Sequence, residues 1–382
     1  MKAQDFLSAS QIVSLIKAVG HTRTVLVQGE NGIGKTNLWR MLAEDPHFDN
    51  HIKIPPIDCT QLSDGSLFMP DIDRESGISR ELPNERLGVS MTNRRGVEGS
   101  RPVLGMFDEI AKVPQYVKNM IAPILYERRV GTLGMPEGSV WFAGTNLSVE
   151  GLGDSLAAHL RNRLIVVKMR KPTFTEWLNN FALPKKLNPM LLACCKENED
   201  VFDSFVDYLP GGKYGCPTED EGFAKLAKDN ASIYNPKAMQ GSYASPRSLH
   251  AASDLLDVMD TTDQVLLEQA LAGTVGETFA SKMMSFIRFG NQLPPVEQVR
   301  RDPDNAPIPS NKIAQQVQVF QFISRAQDRD DAQAFTKYIK RLQPEMQSLY
   351  LRRVADSNRV GLFATVNEFG AMLSDNKIYY KV

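Results

Sequence analysis

The chain has little of several features that mark specialised classes of protein. It contains 4 cysteines in 382 residues, and no two of them are spaced as C-x-x-C. This excludes a disulfide-rich secreted domain and fits a reduced compartment. Its apolar runs, such as 164–167, are far shorter than the roughly 20 residues that span a bilayer. We therefore expect a cytoplasmic protein without a signal peptide and with no membrane partner.

The chain also lacks an excess of either charge, since 44 Lys and Arg residues stand against 45 Asp and Glu. Dedicated duplex-DNA binders usually carry a basic excess, because neutralising phosphates supplies most of their affinity. Nucleic acid is therefore the less favoured partner, although local basic patches stay possible. The hydrophobic content of 42% is that of an ordinary globular protein, and we find no repeat.

Short apolar strands alternate with helical segments through the first half of the chain. The expected strands cover 24–28, 52–58, 103–107, 140–145 and 164–169, and the expected helices cover 5–19, 37–44 and the residues before 128. This alternation predicts a parallel sheet with helices on both faces. We predict an α/β core over 1–172, a helical lid domain over 173–290, a proline-rich linker over 291–310 and a C-terminal helical extension over 311–382.

A glycine-rich phosphate loop follows the first of these strands. Residues 29–36 read G-E-N-G-I-G-K-T, the G-x-x-x-x-G-K-[ST] pattern, between a strand and a helix. Lys35 can reach the β- and γ-phosphates of ATP, and the Thr36 hydroxyl can bind Mg²⁺. The residues expected to contact the nucleotide are Gly29, Glu30, Asn31, Gly32, Ile33, Gly34, Lys35, Thr36 and Asn37. The alternative is a glycine-rich turn with an incidental lysine.

Two carboxylates end the apolar strand at 103–107. The carboxyl ends of parallel strands line the ligand crevice of such sheets, so Asp108 and Glu109 should lie beside the phosphate loop. We expect Asp108 to hold Mg²⁺ together with Thr36, and Glu109 to deprotonate the attacking water. The alternative is a solvated acidic turn.

Four further side chains are candidates for catalysis. Asn146 ends the strand at 140–145 and is placed to bind the water or the γ-phosphate, although it could merely cap a turn. Arg161 and Arg163 precede the last strand, and either could be an arginine finger for a neighbouring subunit, with Arg163 favoured. Arg247, on the first turn of a helix, could reach the γ-phosphate from a lid. For each arginine the alternative is an exposed, solvated side chain.

In this order, these motifs resemble those of the AAA+ ATPases, and within them the MoxR-like group. The resemblance covers residues 1 to about 260. The strongest match is to the acidic motif and the helix and turn behind it, at 107–114 and 125–131. Residues 143–146 match the first sensor and 245–247 the second sensor. Residues 162–164 match the arginine-finger motif. The additional Arg161 departs from the pattern, and residues beyond about 290 match nothing in it.

The resemblance implies a fold, an assembly and a function. It implies a P-loop NTPase (AAA+) sheet core with an all-helical lid, assembled as a homo-oligomeric ring, a hexamer, with ATP and Mg²⁺ at each subunit junction. It implies a β-hairpin insert, for which about 73–97 has room, and a pore-facing loop at 67–69, which could instead anchor in the core. MoxR-like ATPases remodel or activate a protein client with a von Willebrand factor A domain partner, sometimes inserting a metal or cofactor.

Two other functions stay open. The chain could be a nucleic-acid motor or loader of the AAA+ class, with basic residues lining a pore: Arg94, Arg95, Arg128, Arg129, Arg300 and Arg301. It could also be a restriction-type or cobalt-chelatase-type subunit, which shares the core and differs in its partner. The helical stripe of Ile313, Val317, Phe320 and Ile323 is more typical of a core than of a docking face.

Overall fold

The computed structural model describes residues 6–63, 65–147, 162–238, 241–259, 262–290, 293–357 and 359–375. The chain divides into two compact units. The first unit comprises Met1–Lys171 with Val206–Glu219, and the second comprises Pro172–Phe205 with Asp220–Val382.

In its described residues, the first unit contains a parallel sheet, two small hairpins and three α-helices. Its strands are β1 (Phe6–Leu7), β2 (Val25–Gly29), β3 (Ile52–Lys53), β4 (Ile57–Asp58), β5 (Phe68–Asp73), β6 (Ile78–Pro83), β7 (Val103–Asp108), β8 (Arg129–Val130), β9 (Leu133–Gly134), β10 (Val140–Thr145) and β11 (Ile165–Met169). Its helices are α1 (Ala9–Val19), α2 (Asn37–Ala43) and α3 (Gln115–Glu127).

The main sheet has the strand order β1-β11-β2-β10-β7-β3, and β4 also pairs with β7. Every pairing in it is parallel. Strand β10 therefore lies between the strand that leads into the phosphate loop and the strand that ends at Asp108. The carboxyl ends of these three neighbours share one edge of the sheet, where open α/β sheets bind their ligands.

Alternation along each central strand buries both faces of the sheet. Leu26, Phe107 and Trp141 contribute to a core cluster that also contains the apolar side of α3. Their strand neighbours Val27 and Met106 contribute to a second cluster, which contains the apolar sides of α1 and α2. Successive strand residues point to opposite faces, so one continuous apolar strand supplies both clusters.

The second unit is helical over the residues described. Its helices are α4 (Phe174–Trp177), α5 (Pro189–Glu197), α6 (Glu219–Asp229), α7 (Pro246–Val258), α8 (Gln264–Val275), α9 (Glu277–Gly290), α10 (Val296–Arg301), α11 (Lys312–Arg325), α12 (Arg329–Lys340), α13 (Pro344–Ala355), α14 (Val360–Ala364) and α15 (Asn367–Asp375). The fold class predicted from the sequence, a parallel α/β core of the P-loop type followed by helical regions, is confirmed.

Helix α11 packs into the interior of the second unit, against α5, α9 and α13. The side chains of Val317, Phe320 and Ile323 are buried, so this stripe is core rather than a docking face. Helix α10 lies inside the stretch predicted as a linker. The predicted division of 173–382 into lid, linker and extension stays a proposal.

Two local predictions were wrong. Residues 6–7 form β1, and the helix expected from residue 5 begins after the Ser8 cap. The strand expected over 52–58 is two short strands, because Pro55 and Pro56 have no N–H to donate to a ladder.

The hairpin expected within about 73–97 lies earlier, over 68–83, as β5 and β6. The predicted pore-facing loop, residues 67–69, overlaps the first strand of this hairpin. Leu67 is buried, and Phe68 packs against the core cluster that contains α3. These two side chains therefore anchor the start of the hairpin, whereas Met69 is exposed.

Arg128 is a buried cation that joins three parts of the first unit. It caps the carboxyl end of α3 in a left-handed conformation (φ 50°). Its guanidinium donates to the carbonyls of Ile124 and Leu125 in that helix, to the carbonyl of Gly20, and to the hydroxyl of Thr24. Burial lowers the pKa of Arg128 to about 10, so the group stays charged at neutral pH.

Replacing Arg128 with Gln should lower the free energy of unfolding by about 3 kcal/mol, because hydrogen bonds to charged groups contribute roughly 1.5–3 kcal/mol each and their buried acceptors would lose a partner. Chemical denaturation measures this loss. The control is Arg129→Gln, since the Arg129 side chain is 43% exposed and pairs with Glu127. That pair should contribute less than about 1 kcal/mol. Equal losses in the two variants would contradict a structural role specific to Arg128.

Candidate nucleotide-binding site

The phosphate loop connects β2 directly to α2. Gly32 and Gly34 adopt positive φ angles of 76° and 100°, which glycine takes without steric cost. A Cβ on Gly29 would lie 2.7 Å from the Cδ1 atom of Ile33, so the end of the strand also requires glycine. These glycines bring the loop backbone back over the end of the sheet.

The Lys35 side chain lies inside this loop and is only 6% exposed. Its ammonium donates to the carbonyls of Gly29 and Glu30, at 2.9 and 3.0 Å. It also donates to the Oδ1 atom of Asn146 at 2.8 Å. The structure thus brings the predicted sensor Asn146 into direct contact with the predicted phosphate-binding lysine.

Thr36 and Asp108 meet at the expected Mg²⁺ site. The Thr36 hydroxyl donates to the Oδ2 atom of Asp108 at 2.6 Å, and the Oδ1 atom accepts the backbone N–H of Glu109 at 3.0 Å. Across the sheet, a Cβ on Gly144 would lie 2.8 Å from that Oδ1 atom, so glycine there makes room for the carboxylate.

The donor set at this position fits Mg²⁺. In the described part of the chain, no group of three or more His, Cys, Asp or Glu side chains could hold a metal ion. Mg²⁺ is usually held by one or two carboxylates, with waters and substrate phosphates completing its shell. One hydroxyl and one carboxylate in contact therefore suit a nucleotide-bound Mg²⁺ better than a resident metal.

Glu109 has a buried oxygen that is available to a ligand. Its backbone is left-handed, with φ 57° and ψ 33°, which is uncommon outside glycine. The Oε1 atom lies 3.0 Å from the Nζ atom of Lys112. The Oε2 atom is buried and has no hydrogen-bond partner among the described residues. Such an oxygen can accept a proton from a water that enters with substrate.

Three further side chains near these carboxylates were not among the predicted site residues. The Thr145 hydroxyl, beside Asn146, is buried without a hydrogen-bond partner in the described ranges. Asp58 lies opposite Asp108 in the pairing of β4 with β7. Burial, reinforced by the charges of Asp108, Asp58 and Glu109, raises the pKa of the Cys59 thiol well above its usual range. Position at a strand end was the available signal for Thr145 and Asp58.

The three predicted arginines lie in two different parts of the chain. Arg163 is exposed, and its guanidinium lies 5.5 Å from the ring centroid of Tyr126. Arg161 lies outside the described residues. Arg247 is exposed on the first turn of α7, in the second unit. Their predicted roles stay predictions.

Comparison with known proteins gives only distant likenesses. Neither a protein-family model nor a curated protein sequence matches the chain. Similar solved structures include the Holliday junction branch migration motor RuvB of Thermotoga maritima, with 15% identity over 77% of this chain and 74% of that one at a TM-score of 0.32. NtrX from Brucella abortus in complex with ATP has 12% identity over 98% and 69%, at a TM-score of 0.30.

A DNA polymerase III gamma subunit-related protein from Thermotoga maritima has 14% identity over 92% of this chain and 99% of that one, at a TM-score of 0.29. Scores this low add no weight to a shared function. The assignment of a P-loop sheet therefore rests on the strand order and the loop of this chain. Among the residues described, no helix is long and apolar enough to cross a bilayer.

Proposed function

We propose that this chain is a Mg²⁺-dependent ATPase of the AAA+ type that works as a homo-oligomeric ring. The observation that carries the proposal is the convergence of Lys35, Thr36, Asp108 and Glu109 at one edge of the sheet. Each of these side chains has a role in phosphoryl transfer to water, and each sits on an element that fixes it there.

Binding of ATP would use N–H donors of Lys35 that bond to loop carbonyls in the structure. The Lys35 ammonium donates to two carbonyls and to Asn146, and phosphate oxygens would replace the carbonyls as acceptors. Because an ionised acceptor makes the stronger hydrogen bond, this exchange favours the bound state. Mg²⁺, when bound, would neutralise phosphate charge, with Thr36 and Asp108 as its protein ligands.

Glu109 supplies the proton acceptor for hydrolysis. As water attacks the γ-phosphate, its proton passes to the Oε2 atom of Glu109, which has no partner among the described residues. Lys112 holds the other oxygen of this carboxylate and so limits its rotation. With its Oδ1 atom on Lys35, Asn146 can direct its amide N–H groups towards the water or the γ-phosphate.

An exposed arginine is consistent with a site completed by a second subunit. Arg163 forms no ion pair within the described ranges, so its guanidinium can donate to a neighbour's γ-phosphate. The resemblance to MoxR-like ATPases supports such a ring of six. It also supports Arg161 as the alternative finger.

We further propose that the ring remodels a protein client, with a von Willebrand factor A domain protein as partner. The resemblance supplies the partner, and the hairpin of β5 and β6 supplies a surface for the client. Met69 and Ile72 on that hairpin are 59% and 68% exposed, and Ile78 is 53% exposed. Exposed apolar side chains of this kind mark surfaces that bind other proteins.

The nucleic-acid alternative has less support. Of the arginines expected to line a pore, Arg128 is buried and caps α3. Arg300 is held by Asp331 at 2.7 Å. Neither guanidinium is therefore available to track a phosphate backbone.

Phosphate release by the purified protein tests these proposals together. We expect hydrolysis that requires Mg²⁺ and rises with an unfolded protein such as casein, but not with single-stranded or duplex DNA. Stimulation by DNA that weakens as salt is added would favour the motor instead. The double substitution Met69→Ser and Ile72→Ser should remove the stimulation and leave basal hydrolysis intact. Met91→Ser, at a 47% exposed methionine outside the hairpin, is the control.

A further inference from the structure

A polar cavity of about 330 Å³ lies wholly within the second unit, among the ends of several helices. Four cations line it together with one carboxylate and two amides: Lys186, Arg300, Arg325, Arg359, Asp257, Asn188 and Gln327. No residue assigned to ATP hydrolysis lines it.

The described residues do not balance the charges in this cavity. Arg300 is neutralised by Asp331, whose two oxygens accept from Nε and Nη2 at 2.7 and 3.0 Å. Neither Lys186 nor Arg325 forms an ion pair within the described part of the chain. With Arg300 set aside, three cations share the cavity with Asp257. That carboxylate already accepts a hydrogen bond from the Asn188 amide at 2.8 Å.

Arg359 shows most clearly that no carboxylate of the described ranges neutralises the cavity. Its guanidinium is partly buried and donates through Nη1 to the carbonyl of Ala326, which caps α11. Burial lowers the pKa of Arg359, whereas the hydrogen bonds that Arg300 donates to Asp331 raise the pKa of Arg300 in the same cavity. Burying a cation without a carboxylate partner costs desolvation free energy, and a bound anion would offset that cost.

Lys186 has a left-handed backbone, with φ 57°, because it ends the helical segment before it. The N–H of Leu187 donates to the carbonyl of Ala182 across this turn, at 2.9 Å. Glycine would be the unstrained residue at position 186. The residue is exposed, and its side chain lines the cavity.

We propose that this cavity binds a small phosphate-bearing anion through Lys186, Arg325 and Arg359. Guanidinium groups match the oxygens of a phosphate in geometry and charge, and the lysine adds a point charge. A cavity of this size favours a compact anion over a polymer, whose backbone requires an extended basic groove.

Calorimetric titration of the full-length protein with inorganic pyrophosphate tests the proposal. Because pyrophosphate can also occupy the phosphate loop, the titration is repeated with Lys35→Met. We expect a site that survives Lys35→Met and loses at least about tenfold in affinity with Lys186→Gly plus Arg325→Gln, since each charge-assisted hydrogen bond is worth about tenfold or more. Glycine suits the backbone at position 186, so the melting temperature of this variant should not fall.

The matched control is Lys185→Gln plus Arg329→Gln, which removes the same charge from two exposed neighbours that do not line the cavity. The affinity of this control for pyrophosphate should stay within about twofold of the parent, well below the tenfold change, about 1.4 kcal/mol, expected for the test variant. Equal losses in both double variants, or a site that disappears with Lys35→Met alone, would overturn the proposal. So would binding of a single-stranded oligonucleotide, but not of pyrophosphate, through Lys186 and Arg325.

Discussion

Replacing Glu109 with Gln should reduce ATP hydrolysis by about 10²–10⁴-fold, the usual contribution of a positioned general base. The amide cannot take the proton that the Oε2 atom is free to accept among the described residues. Nucleotide affinity should hardly change, because Lys35 and Thr36 are untouched. Phosphate release and equilibrium binding of a fluorescent ATP analogue measure the two effects separately.

A carboxylate away from the site provides the control for this substitution. Glu127 is 52% exposed and pairs with Arg129, so Glu127→Gln should leave hydrolysis at the level of the parent. Unchanged hydrolysis in Glu109→Gln would refute the assigned base. Loss of binding and hydrolysis together would indicate that Glu109 supports the loop instead.

Replacing Arg163 with Ala should reduce hydrolysis by about 10³–10⁵-fold, the range measured for arginine fingers. The structure leaves this guanidinium exposed, where a neighbouring subunit can receive it. If Arg163 acts across a junction, an Arg163→Ala subunit still has a competent Glu109 in its own site. That site needs only an arginine from the neighbouring subunit. Mixing Arg163→Ala subunits with Glu109→Gln subunits should therefore restore part of the activity that neither variant has alone.

The mixing experiment also decides between the two candidate arginines. Arg161→Ala, treated in the same way, should retain most of its activity if Arg163 is the finger. Rescue by Arg161→Ala but not by Arg163→Ala would reverse the assignment. Absence of rescue for both, in assembled mixtures, would contradict a finger supplied by a neighbour from this segment.

The sequence was sufficient to predict the core and the central site because both depend on local patterns. The phosphate loop and the acidic pair each end an apolar strand, and parallel strands bring such ends to one edge. Asn146 was predicted for the same reason, and its contact with Lys35 follows from the position of β10 between β2 and β7.

Features that depend on distant contacts were not predictable. Arg128 reads as a surface residue in the sequence, and its burial depends on carbonyls from Gly20 and Ser139, which only the fold brings near. The start of the hairpin at Phe68 has no clear sequence signal, because Pro70 and the alternating charges obscure a strand that tolerates proline at an edge. The left-handed backbone of Glu109 likewise has no sequence signal, since glutamate rarely adopts it.

The most direct test is the release of phosphate from Mg²⁺-ATP by the purified protein, measured per subunit across a range of protein concentrations. Turnover that grows as subunits assemble, and that stops when EDTA removes Mg²⁺, is the result expected. Protein that is assembled and binds ATP, yet releases no phosphate over many hours, would contradict the account.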